Sequence, residues 1–451
     1  MEISTIQSLL ERLFPVCRSI TGNGVRRTLE ILREIVDFNI TEIPSGTTCF
    51  DWKVPDEWNI TDAYLEDEEG NRYADFKFNN LHVVSYSEPV NKWLEFKELE
   101  PHLHSLPEMP EAIPYRTSYY KRDWGFCLTH RSLAEIDRSK RFHAVIESDL
   151  KPGSMTYGDI VLSGKSDQEY LISTYCCHPS MGNDNLSGVV LWAALLHEIQ
   201  SLDLYHSYRF VIIPETIGAI CYLSEHSEAM KKISGCLLPS NVAGPGRLGY
   251  KKTFIGDHTI DRIVEQTFLE NGIEPVIYPF DILGSDERQY SSPGFRIPTG
   301  TICKDKYYEF QQYHTSLDNL EFANAGQLYE TLQIYLGTIH NLEMNRNYLS
   351  RNPNGEPMLG KRGLYKSIGG SLVQPAHLGN KSHRDFKYKI TTQKLTAGSD
   401  LDAMRWLLFY ADGSKSLLDI AELINLPMSQ LFGAARTLEE HGLIEEIQTG
   451  E

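Results

Sequence analysis

The chain has 451 residues, enough for two or three domains with their own cores, and its apolar (41%) and charged (23%) fractions are those of an ordinary soluble globular protein. A formal net charge of −18 argues against any binding mode driven mainly by contacts to phosphate. No apolar run approaches a bilayer-spanning length, and the opening MEISTIQSLLERLF lacks the basic start and apolar core of a signal, so a cytoplasmic protein with no membrane attachment is expected.

In chain order, IQSLLERLFPVCRSITGNGVRRTLEILREIV reads as two helices separated by the turn formers of SITGNG. From about Thr47 to Arg141, short aromatic and β-branched runs (LHVVSYSEPV, AIPYRTSYY, WGFCLT) alternate with Pro, Asn, Gly and Asp, the texture of a small, mainly β unit. FHAVIESD, GDIVLSG and EYLISTYCCHP then read as strands, SGVVLWAALLHEIQ as a helix, YRFVIIPET as a buried strand and HTIDRIVEQTFLENG as a further helix. Strands alternating with helices predict a largely parallel sheet covered on both faces.

The helix AGQLYETLQIYLGTIHNLEMN is followed by a Gly/Pro/Asn-rich connector, RNPNGEPMLGKRGLYKSIGG. Three short amphipathic helices then end in a Gly and an apolar-acidic strand, the pattern of a winged helix-turn-helix. The implied division is 1–46 with 142–350 as an α/β domain, 47–141 as an inserted β-rich domain, 351–384 as connector and 385–451 as the winged helix-turn-helix domain. Eight cysteines without a C-x-x-C read as reduced, mostly buried thiols.

Chemistry in a parallel α/β sheet collects at the carboxyl ends of strands. His178 ends the strand EYLISTY, Asp184 stands where the next helix begins, Glu215 closes YRFVIIPE, and His314 in YHTSLDN follows the strand PTGTIC. Two imidazoles and a carboxylate suit Zn²⁺ with a position left for water, and a further glutamate can take that water's proton. Each residue also has a plainer use. Asp184, flanked by asparagines, is a good helix N-cap, His178 before a proline can bond backbone, and His314 alone is a weak signal. Glu215 is harder to dismiss, because a carboxylate at the end of an apolar strand is costly to bury without a partner. Alternation sends Cys176 and Cys177 to opposite faces, which favours small buried residues over thiolate ligands.

HPSMGNDNLSGVVLWAALL resembles the metal-binding turn and helix of the di-zinc aminopeptidase superfamily, FVIIPETIG its strand ending in a glutamate pair, SDERQYSSPGFRIP its S-D-H segment and YHTSLDNLEF its final histidine motif. With LFPVCRSITGNGVRRTLEIL, GEPMLGKRGLY and the tail, nearly the whole chain resembles a group of bacterial aminopeptidase-like zinc proteins. The resemblance implies an α/β fold, a zinc-exopeptidase-like, mostly parallel mixed sheet flanked by helices, with an inserted β-rich domain and a C-terminal winged helix. By position it makes His178, Asp184 and His314 metal ligands and Glu215 the general base, with Gly218 fixing the register. Two departures stand out. Thr216 occupies the place of the second glutamate, and no acid lies in GCLLPSNVAGPG, where a further ligand belongs. One Zn²⁺ per chain is therefore expected rather than two. In the altered S-D-H segment, Arg288 is expected to clamp a substrate carboxylate, with Asp286 and Glu287 beside it; a surface salt bridge and a turn aspartate are the plainer readings.

The expected activity is zinc-dependent hydrolysis of an amide in a small peptide or amino-acid conjugate. Three rivals stand beside it: a catalytically silent zinc-binding regulator or scaffold, motivated by the two absent ligands; a cyclising acyltransferase like the glutaminyl cyclases; and DNA binding by the tail. Asp400 to Glu451 holds three Lys/Arg (Arg405, Lys415, Arg436) against ten Asp/Glu, so DNA is not the expected partner, and a homo-oligomer is left open.

Overall fold

A computed structural model describes residues 1–364 and 400–447. These form two compact units: Met1–Asp261 with Glu274–Leu336, and Arg262–Ile273 with the described residues from Gly337 onward. The connector from residue 365 and the start of the expected tail domain, to residue 399, lie outside the described residues.

The first unit is built on an eight-stranded sheet. In chain order its strands are β1 (Asn39–Pro44), β2 (Ser154–Leu162), β3 (Glu169–Tyr175), β4 (Ser207–Ile213), β5 (Ile233–Leu237), β6 (Leu248–Lys251), β7 (Val276–Tyr278) and β8 (Thr299–Lys304), and in space they run β1-β2-β4-β3-β5-β8-β6-β7. The centre, β4-β3-β5-β8, is parallel, and antiparallel pairings flank it at β2-β4 and β8-β6. Central strands are covered on both faces, which is why β3 and β4 read as near-continuous apolar runs rather than alternating ones. The helix Gly188–Ile199 is apolar nearly all round because it too is fully covered, with ten of its twelve residues buried.

The β-rich segment makes a four-stranded antiparallel sheet in the order Arg72–Asp75, Glu57–Asp67, Arg141–Lys151, Val90–Glu95. Its own core includes Leu65, Phe96, Phe126, Phe142 and Ile146. The strand FHAVIESD, assigned from sequence to the α/β domain, pairs here instead, with Glu57 opposite Lys151 and Asp67 opposite Phe142. Its partners, Glu57–Asp67 and Val90–Glu95, lie well upstream, so local pattern could not assign it. Chain entry and exit meet beside β1 and β2, where Pro44 pairs Ser154.

In the second unit the helices Asp400–Tyr410, Leu417–Ile424 and Met428–Glu440 accompany a three-stranded sheet. Ser416 caps the middle helix in a reciprocal box with Asp419, and Asn425 ends it in the left-handed conformation. The central strand of the sheet is Asn347–Ser350, between Asp412–Ser416 and Ile444–Ile447, although its sequence position placed it with the α/β domain. Among the described residues no helix is long and apolar enough to cross a membrane, and all eight cysteines are free.

Candidate metal centre

The parallel strands β3 and β4 lead to His178 and Glu215. Past Tyr175 the ladder continues for one bond, Cys176 N–H to Ile213 O at 2.8 Å, and the chain then turns off the sheet at His178. Arg18, fully buried, pins that departure: its Nε donates to the His178 carbonyl at 2.9 Å and its Nη1 to the Leu13 carbonyl at 2.7 Å.

The turn Gly182–Ser187 follows, and its backbone is organised from the far side of the site. The Asp318 carboxylate accepts the N–H groups of Asn183 at 2.6 Å and Asp184 at 2.8 Å, and the Asp318 carbonyl accepts that of Gly182 at 2.7 Å. Asn185 Nδ2 bonds the Tyr175 carbonyl and the Thr174 hydroxyl, both at 3.0 Å. Gly182 is required by this closeness, since a Cβ there would lie 2.8 Å from the Asn319 carbonyl.

Asp184 is not a helix cap. The helix beginning at Gly188 has Ser187 at its N-cap position, and Asp184 itself is extended (φ −107°, ψ 94°). Its Oδ1 accepts the Tyr175 hydroxyl at 2.7 Å, whereas its buried Oδ2 faces only imidazoles among the described residues. His314, in the left-handed region at φ 54°, brings its buried Nε2 to 2.9 Å from that oxygen. The third group, His178 Nε2, is 3.8 Å from the same Asp184 oxygen. All three ligand atoms fall within 4.8 Å of one another.

Atoms bound at about 2.0–2.1 Å around a tetrahedral Zn²⁺ lie ~3.3 Å apart. The observed 2.9 and 3.8 Å bracket that spacing. Two converging imidazoles and a carboxylate, with two of the three atoms buried and facing only each other and His178 among the described residues, therefore fit a zinc ion.

The electrostatics agree with ligand chemistry. Burial lowers the His178 pKa to about 4, so the ring is neutral and able to donate a lone pair. For Asp184 burial works upward, but the two histidines and the Tyr175 hydroxyl outweigh it and hold the carboxyl at about 2. Glu215 Oε2 lies 3.9 Å from His178 Nε2, with the side chain about a quarter exposed. Burial and then the charge of Asp184 raise it to about 7.

Thr216 occupies a strained position for a β-branched residue, φ 66°, and its N–H donates to buried Asp286 Oδ1 at 2.7 Å. Asp286 thus holds the strand end that carries Glu215; burial, then the Glu215 charge, push its pKa up. Glu287 does not join the group. Both its oxygens are engaged, one by Lys251 and by Tyr307 at 2.6 Å, the other by the Ser285 N–H at 2.9 Å, leaving none to offer a substrate. Arg288 is half-buried, has no ion-pair partner among the described residues, and lies near enough to Glu215 to work against the rise in its pKa.

Sequence reasoning missed three contributors. Asp318 stands within YHTSLDNLEF, but nothing in the sequence marks its partners. Tyr115 comes from the β-rich insert, its ring centroid 5.2 Å from those of both His178 and His314. Cys177 was set aside as a core residue, yet its Sγ lies 3.4 Å from His178 Nδ1 and forms a second potential ligand group with His178 and Glu215. Burial and the Glu215 charge raise that thiol well above its ordinary range, so it stays protonated.

Residues 7–345 match a family profile described as a domain of unknown function, DUF4910, and residues 386–446 match a winged helix-turn-helix profile. A Clostridium acetobutylicum protein, provisionally named for polysaccharide biosynthesis with an aminopeptidase-like domain, is 44% identical over 98% of this chain and 96% of its own. A crystal structure from the same organism, provisionally described as a peptidase, superposes with a TM-score of 0.87 at 41% identity, covering 99% of this chain and 96% of that one. The zinc aminopeptidase BSAP from Bacillus subtilis shares the fold at 12% identity, TM-score 0.53, over 75% of this chain and 93% of its own. An M28 peptidase precursor from Shewanella amazonensis does so at 12% identity, TM-score 0.50, over 75% and 94%.

Proposed function

The chain belongs to the DUF4910 family, on an aminopeptidase-like fold with a winged helix-turn-helix domain, and from that premise we propose that it is a zinc-dependent hydrolase of an amide bond in a peptide or amino-acid conjugate. The observation that carries this reading is the convergence of two buried atoms, Asp184 Oδ2 and His314 Nε2, 2.9 Å apart and with no other hydrogen-bond partner among the described residues, with His178 alongside. Those three residues would hold one ion. Thr216 and the acid-free segment around Ser240 offer no ligands for a second.

A bound Zn²⁺ supplies a Lewis acid that makes water nucleophilic near neutral pH and polarises the amide carbonyl. Glu215, with a pKa near neutrality, takes the proton of the attacking water on its carboxylate and returns it to the leaving nitrogen. Asp286, through Thr216, keeps that carboxylate aimed. Arg288 receives an anionic group of the substrate, a carboxylate being the best fit to its planar fork. The relative's name couples polysaccharide biosynthesis with an aminopeptidase-like domain, which supports a conjugate whose amide is carried on carbohydrate.

The test is hydrolysis of a panel of aminoacyl, peptidyl and N-acylated sugar amides by zinc-loaded protein and by Glu215→Gln. Turnover that Glu215→Gln lowers by ~10²-fold or more supports the reading. A zinc-bound chain inactive on the whole panel favours the silent scaffold, which the loss of the usual ligand at Thr216 also motivates.

A further inference from the structure

The β-rich insert holds both ligand-bearing loops. On one side, residues 113–115 form a short antiparallel join with the loop after β8: Tyr115 N–H donates to the His314 carbonyl at 2.8 Å, Ser316 N–H to the Ile113 carbonyl at 2.9 Å, and Ile113 N–H to Ser316 Oγ at 3.0 Å. On the other side, Asn80 Nδ2 donates to Ser180 Oγ at 2.8 Å, and Met181 packs into one buried apolar cluster with Leu81, Val84, Ile113, Tyr115 and Cys127. Met181 immediately precedes the turn that presents Asp184, and Ser180 lies two residues after His178.

Tyr115 is where the two sides meet. Its ring, 7% exposed, contacts the His178 ring at 46° and the His314 ring at 84°, each at 5.2 Å between centroids, while its hydroxyl bonds the Tyr119 hydroxyl at 2.9 Å. One side chain therefore packs against both imidazoles, and its residue's N–H bonds the carbonyl of His314, whose backbone is in the left-handed region.

We propose that Tyr115 is a positioning residue for the metal centre, and that the insert is a working part of that centre because it spaces and orients His178 and His314 through this ring. The inference rests on the zinc reading of His178, Asp184 and His314. The ring and the backbone bond do the positioning; the hydroxyl, turned to Tyr119, does not.

The full-length chain is tested by chelator competition for zinc and by the visible absorption of its Co²⁺ form, in wild type, Tyr115→Phe, Tyr115→Leu, Tyr115→Ala and His314→Ala, with near-UV circular dichroism reporting the fold. Expected are wild-type affinity and spectrum in Tyr115→Phe, and in Tyr115→Leu and Tyr115→Ala a ~10–100-fold weaker affinity with altered Co²⁺ bands. If Tyr115→Ala does not fold, Tyr115→Leu, which keeps apolar bulk in the cluster, decides. Zinc lost in His314→Ala but held with unchanged affinity and Co²⁺ spectrum in folded Tyr115→Leu overturns the positioning role alone. A wild-type chain that binds neither metal overturns the zinc reading and this inference with it.

Discussion

Asp318 Oδ2 accepts the backbone N–H of Asp184 at 2.8 Å, so one buried aspartate holds the backbone of the other. The geometry leaves the Asp184 side chain free of backbone duty, with one oxygen on the Tyr175 hydroxyl and the other turned to His314. Burial raises Asp318 to about 7, against the two N–H bonds that favour its charged form.

Asp318→Asn is expected to loosen the turn, because the amide presents a donor where two N–H groups need acceptors. Stability of the metal-free chain should fall by ~1–3 kcal/mol and zinc affinity by ~10-fold or more. Thermal unfolding and chelator competition check both.

Elemental analysis should find about one zinc per wild-type chain, lost in His178→Ala, Asp184→Ala and His314→Ala while Cys177→Ala retains it. Two ions per chain would mean that ligands beyond these three exist. Loss in Cys177→Ala would move the site to the group formed by Cys177, His178 and Glu215.

Arg288→Ala should raise KM for substrates bearing a free carboxylate while leaving their uncharged analogues little affected. A charge-assisted bidentate contact is worth about 1.5–3 kcal/mol, or ~10–100-fold in kcat/KM. Equal losses on both substrate types would assign Arg288 to the structure rather than to recognition.

Arg26 bonds Glu57 at 2.7 and 2.8 Å, and this pair, with Ser154, sits where the insert joins the main sheet. Chiefly through Arg26, the Glu57 carboxyl is lowered to about 2 in the folded chain. A depressed folded pKa gives stability that is complete above the unfolded value, near 4.5, and is lost as pH falls toward 2. Glu57→Gln should therefore cost ~1–2 kcal/mol at pH 7, a figure discounted for the partial exposure of Arg26, and flatten the loss between pH 4.5 and 2. Urea midpoints across that interval measure it.

The tail, with three basic against ten acidic residues from Asp400 to Glu451, should not bind duplex DNA at physiological salt. Salt-dependent association of the full chain with DNA, measured by fluorescence anisotropy, would contradict this.

Legibility followed the range of the interactions. Strand and helix order could be read because period and turn chemistry are local, and the runs EYLISTY and YRFVIIPE announced buried parallel strands. His178, Asp184, Glu215 and His314 were legible as strand-end residues and by resemblance. The strand FHAVIESD reads as part of the α/β domain but pairs in the insert, and 347–350 does not read as a strand at all, because nothing in a short segment's own pattern names a partner distant in sequence.

By itself the sequence determined the class of fold, the residue types available for chemistry and the absence of acids at two expected ligand positions. Only the tertiary structure decided how those residues are used. It freed Asp184 from capping, closed Glu287 against Lys251, and brought Asp318 and Tyr115 to the centre from distant segments. The reason is physical: convergence within hydrogen-bonding distance depends on strand register and on how separate segments pack, which residue types and spacing along the chain do not encode.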